Sequence, residues 1–253
     1  MQISVVMIVR DGMPTIENSL RRLSRFEDVL VYDNGSRDGT QSAVRAFQNV
    51  RLVEGYFDGF GSTKNRAATY AKNDWIFVLD ADEMINLDLV TSLASLRLED
   101  DTVYLVRRQS WYRGKRVLYS GWGDESVRRI YNRNSTSFSE SLVHEDLELH
   151  SLKQKSIESG LIEHHSYRDL SDFITKVDLY SNLYAREHAG KRDSSPLKAI
   201  TSGLYSFCKT YFIKRGFLDG YVGLVIAFSH MATNFFKYIK LYEANRELLR
   251  DRR

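Results

Sequence analysis

The 253-residue chain is poor in the residues that staple, break or anchor a fold. Its single cysteine, Cys208, excludes an internal disulfide framework and suits a reducing compartment. No Cys/His cluster has zinc spacing. Only two prolines interrupt the chain, Pro14 and Pro196, and each stands beside an expected helix start. The opening MQISVVMIVRDG lacks the basic start, apolar run and small-residue cleavage site of a signal peptide, and reads as a first strand. Internal repeats and low-complexity segments are absent. Nothing pairs a basic run with interleaved aromatics, so no nucleic-acid partner is expected. The nearest approach to a membrane span is Tyr221–Ile239, interrupted by Ser229, His230, Thr233, Asn234 and Lys237. It reads as a helix packed on its neighbours or lying in a membrane interface, not as a crossing.

What is present is a folded chain with 43% hydrophobic and 27% charged residues. The net charge of +3 is unevenly spread. Through residue 165, 24 acidic residues outnumber 21 basic ones; from 166 onward, 15 basic outnumber 9 acidic. The basic tail suits an anionic surface such as phospholipid or a phosphorylated glycan, or is a set of solvated basic helices.

The first half alternates between two periods. ISVVMIV (3–9) is a continuous apolar run, as in a strand covered on both faces. A helical spacing follows at Ile16, Leu20 and Leu23, with Thr15 as N-cap. DVLVYDNGS (28–36), VRLVEG and WIFVL (75–79) continue the strands; 38–48, with Asp38 or Thr40 near its start, and 61–72 continue the helices. Such alternation predicts an α/β fold, a mostly parallel Rossmann-like sheet flanked by helices. TVYLVRRQSWY, RVLYSG and SVRRIYNR read as shorter, antiparallel strands. From about Tyr167 the pattern is helical: 170–188, 195–216 and 219–250. The expected division is a catalytic domain over 1–165 and a helical extension over 166–253.

Ligands of a parallel α/β sheet bind beyond the carboxyl ends of its strands. Arg10-Asp11, YDNGSRDGT and DADE all fall at such ends. Asp33 ends its strand, where it can accept hydrogen bonds from a base or ribose; Asp38 is a helix cap. Asp80, Asp82 and Glu83 crowd negative charge at the end of an apolar strand, which is costly without a nearby cation. With few side-chain ligands beside a phosphate-bearing substrate, Asp80 and Asp82 suit a hard ion, Mg2+ or Mn2+. Glu83 adjoins that site as a supporting residue. His164 and His165 are either ligands for metal or diphosphate or locally bonded histidines at a helix entry.

The segments ISVVMIVRDG, VLVYDNGSRDGT, GFGSTKNRAA and WIFVLDADE together resemble the donor-binding half of inverting, GT-A-type glycosyltransferases of family 2. GWGDESVRRIYNR, LVHEDL, HHSYRDLSDFITKVDLYSNLYARE and YFIKRGFLDGYVGL resemble the branch of bacterial lipopolysaccharide-core β-1,4-glucosyltransferases. The resemblance implies a UDP-sugar donor, probed by Val9, Asp11, Asp33, Lys64, Asn65 and Asp80, with Asp33 at the uracil or ribose and Lys64 near the diphosphate. It implies Asp82 as metal ligand and Arg129 on the acceptor side. Two positions depart: Arg10-Asp11-Gly12 stands where lysine-asparagine-glutamate is usual, and Tyr32 where valine is common.

An inverting displacement needs a general base for the acceptor hydroxyl and positive charge for the leaving diphosphate. Glu145, in LVHEDL, is the expected base, with Asp124 and Glu125 as competitors. His144 orients Glu145 or binds acceptor, and Trp122 is placed to stack on a sugar. The implied reaction moves glucose from UDP-glucose to a heptose of a lipid-anchored core at the cytoplasmic face of a bacterial inner membrane, with the C-terminal helices as peripheral membrane contact. Capsule, teichoic or protein acceptors, other UDP-sugars and a non-catalytic sugar-nucleotide-binding protein are the alternatives. A nucleotidyltransferase would want a Gly-rich basic loop after the first strand, for which RDGMPT is a poor match.

Overall fold

The computed structural model describes residues 1–140, 145–167 and 169–250. Two compact units emerge: Met1–Gln109 with Asp124–His164, and Ser110–Gly123 with His165 onward.

The first unit is built on a mixed sheet with strand order β3-β2-β1-β4-β8-β6-β10-β5. One half is parallel: β1 (Ile3–Val9) lies between β2 (Val29–Asp33) and β4 (Trp75–Asp80), with β3 (Val50–Glu54) outside β2. The other half begins where β8 (Glu125–Asn132) pairs antiparallel with β4 and with β6 (Thr102–Tyr112). At the far edge β10 (Ile162–Tyr167) pairs antiparallel with the short β5 (Glu83–Ile85).

Successive residues of a strand face opposite sides, and both sides are used here. Val5, Met7, Val29, Val31, Phe77 and Leu79 enter one core, with Ile16 and Leu20 of α1 (Thr15–Arg21) and Leu89 and Leu93 of α4 (Leu87–Ser95). Val6, Ile8, Leu30, Ile76 and Val78 enter the other, covered by Ala67 and Ala68 of α3 (Phe60–Thr69) and by Phe138 and Leu147. The continuous apolar runs are therefore two interleaved core faces. The same parity turns Asp80, two residues beyond Val78, toward the α3 side.

Several local expectations shift. Pro14 occupies the cap position of α1, while Thr15 donates back to the Gly12 carbonyl at 2.9 Å. The helix expected over 38–48 is α2, Thr40–Arg45. RVLYSG yields only β7 (Lys115–Arg116), because the N–H groups of Leu118 and Tyr119 donate to the Asp219 carboxylate and not to a strand. β9 (Lys153–Ser156), α4 and β10 were not anticipated. KQKS and IEHHSY carry too little apolar alternation to read as strands.

The second unit rests on three helices. α5 (Leu170–His188) starts at Asp169, whose side chain accepts from the N–H groups of Ser171 and Asp172. α6 (Pro196–Cys208) has Ser195 as its cap and Pro196 at its first position, where proline's missing N–H costs nothing. It widens into a π-helical turn, Lys209–Ile213, and a short 3-10 turn follows. α7 (Tyr221–Arg250) packs against both α5 and α6. Among the described residues no helix is long and apolar enough to cross a membrane.

Candidate active site

The site grows from the carboxyl ends of β1, β2 and β4. Here a β-run that ends in acid meets basic residues delivered by a helix and two antiparallel strands. α3 buries a stripe at helical spacing, Lys64, Ala67 and Ala68, so its one amine points inward with the alanines. A buried ammonium needs countercharge. Lys64 Nζ has it twice, at 2.8 Å from Glu145 Oε1 and 3.3 Å from Asp80 Oδ1.

Arg129 of β8 shares the parity of Tyr131, which faces the α3 side. Its buried guanidinium lies 2.9 Å from Asp80 Oδ2 and also donates to Glu83 Oε1. Glu83, fully buried, accepts in addition from Arg108 Nη1 at 3.1 Å and from the Asp80 N–H at 3.1 Å. Arg108 then reaches Glu125, its Nε 2.8 Å from Oε1. The result is an alternating row: Glu145, Lys64, Asp80, Arg129, Glu83, Arg108, Glu125. Burial on its own would raise the Asp80 pKa. The charges of Lys64 and Arg129, then His164, instead hold it far below the usual carboxylate range. Arg129 is raised: burial opposes its charge, but Glu83 and Asp80 outweigh that cost.

Much of the positive charge that DADE requires is thus supplied by the protein's own side chains. Asp82 lies in the turn between β4 and β5, and its Oδ1 is 3.6 Å from His164 Nε2. Among the described residues no three acidic, histidine or cysteine side chains cluster closely enough to hold a metal by themselves. Asp82 and His164 fit a Mg2+ or Mn2+ that completes its shell with substrate oxygens and water.

Asp33 is fully buried and largely spent on its own turn. Its carboxylate accepts from the N–H groups of Gly35 and Ser36, from the Ser36 hydroxyl, and from Gln41 Nε2 at 2.7 Å. Burial pushes its pKa up, and these donors more than reverse it. Asp11 is similarly engaged: its N–H donates to Ser36 Oγ and its Oδ1 accepts from the Arg37 N–H, tying the first loop to the second. Asp38 completes the seam, accepting from the Met13 N–H and from Thr40. Val9 pairs with Asp33 in register and accepts from the Asn34 N–H at 2.8 Å. Asn65 exchanges two hydrogen bonds with the Phe138 backbone, at 2.8 and 2.9 Å.

That exchange helps fix the segment carrying Glu145. So does Gly61: a Cβ there would stand 1.9 Å from the Ser139 carbonyl oxygen, so only glycine permits the approach. The expected free base is therefore a carboxylate already paired to Lys64. Arg129, expected on the acceptor side, lies beneath Asp80 and Glu83. Glu125 is tied to Arg108, and Asp124 is exposed. His144 lies outside the described residues.

Trp122 belongs to the second unit. Its Nε1 donates to His230 Nε2 at 3.2 Å, and its ring lies nearly parallel to those of Tyr167 and Phe173. Burial, and then Lys214, push the His230 pKa down to about 4, which keeps the ring neutral and able to accept. Sequence reasoning missed Arg108, which no pattern distinguishes from its exposed neighbour Arg107. It also missed the Lys64–Glu145 pair, which spans 81 residues.

Comparison with known proteins agrees with this architecture. The family description Glycosyl transferase family 2 matches residues 4–146. An uncharacterized glycosyltransferase of Rickettsia typhi is 23% identical over 256 residues, covering 96% of this chain and 87% of the relative. The lipopolysaccharide core biosynthesis glycosyltransferase LpsC of Rhizobium meliloti is 25% identical over 230 residues, covering 83% of each. A crystal structure of S. aureus TarS in complex with UDP-GlcNAc superposes with a TM-score of 0.50 at 14% identity, covering all of this chain and 93% of that one. It shares the fold: a mixed sheet flanked by helices, of the GT-A type.

Proposed function

Because the chain belongs to glycosyl transferase family 2, we propose that it moves glucose from UDP-glucose to a heptose hydroxyl of a lipid-anchored lipopolysaccharide core, with inversion. The observation that carries the catalytic part is the bridge of Lys64 between Glu145 and Asp80. It brings a carboxylate suited to deprotonate an alcohol beside a cation suited to a diphosphate. LpsC's name supports the core acceptor, and TarS's complex supports a UDP-sugar donor.

The donor lies across the carboxyl ends of β1, β2 and β4, on the loop seam made by Asp11, Asp33 and Asp38. Asp33 shapes that seam, and a base or ribose reaches its carboxylate by displacing one of the donors that now cover it. A diphosphate arriving beside Lys64 competes with Glu145 for the ammonium. Lys64 turns to the phosphates, and Glu145 becomes an unpaired carboxylate in a half-buried place. Glu145 then takes the proton of the acceptor hydroxyl as that oxygen attacks the anomeric carbon from the face opposite the nucleotide. Asp82 and His164 would hold Mg2+ or Mn2+, which when bound supplies Lewis-acid stabilisation of the leaving diphosphate. Arg129 and Arg108 keep Asp80 and Glu83 charged and fixed.

The test is UDP release from UDP-glucose with a heptose-bearing core acceptor, with Mn2+ supplied and then chelated. Release that depends on the acceptor, with a β-linked product, is the expected result. Release with a capsule, teichoic or protein acceptor instead would keep the chemistry and reassign the acceptor. No donor binding under either condition would leave the glucosyltransferase reading without support.

A further inference from the structure

α6 is built inside out for a helix in water. Its inward face, toward α7, carries Ala199, Ser202, Gly203 and Ser206. A Cβ on Gly203 would lie 3.2 Å from the Met231 carbonyl oxygen, and Asn234 Nδ2 bonds Ser206 Oγ at 2.9 Å. The large apolar residues face outward: Leu197 is 71% exposed, Ile200 49% and Leu204 56%. A soluble amphipathic helix has the opposite arrangement.

The exposed face does not stop at α6. Phe212, 58% exposed, and Ile213, 71% exposed, continue it onto the π-helical turn. Phe207 joins it by ring contacts to Phe212 and to the half-exposed Phe228 of α7. Tyr211 links the same cluster to Phe217. Scattered apolar residues on a surface are ordinary, but a contiguous patch of large aliphatic and aromatic side chains marks a contact site.

Charge identifies the occupant. Between Asp193 and Glu243 the chain carries six basic residues and a single acid, Asp219. That acid is turned inward: it accepts from the N–H groups of Leu118 and Tyr119 and from the Ser120 hydroxyl. Lys198, Lys209, Lys214 and Arg215 are exposed at the ends and turns of the apolar face. Apolar side chains flanked by cations on long stems, with no outward acid, complement a negatively charged headgroup layer above acyl chains.

We propose that this face, Leu197 to Phe228, is a monotopic docking surface for a bilayer containing anionic phospholipid, such as the cytoplasmic face of an inner membrane. The surface lies in the second unit and does not rest on the donor, acceptor or base assigned above.

The experiment is flotation of the full chain with vesicles of phosphatidylcholine alone or mixed with phosphatidylglycerol, at low and high salt. Binding to the anionic vesicles, weakened by salt and weak on neutral ones, is expected. The double variant Leu204→Glu/Phe212→Glu should lose it. Lys209→Glu/Lys214→Glu, which leaves the apolar face intact, should lower partitioning at least about tenfold. If the first variant does not fold, the second carries the test. Absence of flotation overturns the proposal, as does equal binding to neutral vesicles or binding unchanged in a folded variant. A concentration-dependent dimer that Leu204→Glu dissociates, without vesicle binding, assigns the face to a second copy instead. The thermal shift given by UDP-glucose, read in parallel, reports on the donor site alone, so failure of one reading does not disguise failure of the other.

Discussion

Lys64 Nζ stands 2.8 Å from Glu145 Oε1 across 81 residues of sequence, and the same ammonium lies 3.3 Å from Asp80 Oδ1. One cation therefore holds the candidate base and the end of β4 together. Both carboxylates need the charge, so a ligand that claims Lys64 changes the state of both.

Glu145→Gln keeps the size and a hydrogen-bond acceptor but removes the basic oxygen. Transfer is expected to fall by about 10²–10⁴-fold while the UDP-glucose thermal shift persists. Asp146 is the necessary control. It is the next residue, more exposed, and held by Arg128. If Asp146→Asn costs more transfer than Glu145→Gln, the base is Asp146.

Lys64→Met removes the shared cation. Breaking a pair this buried costs about 3 kcal/mol at neutral pH. Asp80 has a depressed value in the folded state, so its stabilisation is present at neutral pH and is lost as pH falls through that low value. Without Lys64 the Asp80 value rises, and the loss begins at higher pH. The melting-temperature gap between wild type and variant should be widest near pH 7 and narrow below about pH 4, where carboxylates in the variant take up protons. A gap independent of pH would mean that Lys64 acts through packing.

How much of this was legible follows from which interactions are local. Strands β1, β2 and β4 announce themselves because each is a run of apolar residues buried on both faces, and β1 to β3 are each followed by a helix. The starts of the helices expected at 170 and 195 are local and were also readable. DADE signalled a need for positive charge, but whether metal or side chain answers it depends on the pairing of β8 with β4 and β6. That pairing sets Arg129 and Arg108 against Glu83, and no periodicity in SVRRIYNR or TVYLVRRQSWY contains the register. β9 was silent because all four residues of KQKS are exposed. Asn65 shows the limit of a motif position: its neighbour Lys64 faces the site, while its own amide is committed to Phe138.

Arg129→Lys keeps the charge, but a shorter-reaching, more strongly hydrated ammonium must replace the buried Nη2 that donates to both Asp80 and Glu83. Glu83 is fully buried, so partial loss of its countercharge should cost about 2–4 kcal/mol in chemical denaturation. Arg108→Lys, at the more exposed end of the row, should cost less. The reverse order would place the structural weight on Glu125 rather than on Asp80.

Asp82→Asn and His164→Ala separate metal binding from folding. Asp82 stands outside the buried row, so Asp82→Asn should melt near the wild-type temperature, whereas the charge of His164 also bears on Asp80 and His164→Ala is compared at a temperature where it is folded. If Asp82 and His164 hold the ion, Mn2+ titrated in the presence of UDP and followed by its paramagnetic resonance should bind at least about tenfold more weakly to either variant. Unchanged Mn2+ affinity in both would remove the ion from the end of β4.

Gly61→Ala tests the approach of the Glu145 segment to α3. The new Cβ would meet the Ser139 carbonyl at 1.9 Å, a contact that backbone must relieve by moving. Overpacking of this kind costs about 1–3 kcal/mol, which the unit should survive. Movement of Ser139 and Glu145 away from α3 lengthens the distance from Glu145 to Lys64 and shifts the base from its place. The turnover number should fall by at least about tenfold. The UDP-glucose thermal shift should persist, because the first two loops and Lys64 itself are left in place. Full activity in a folded Gly61→Ala enzyme would show that the segment need not be held this close for Glu145 to work.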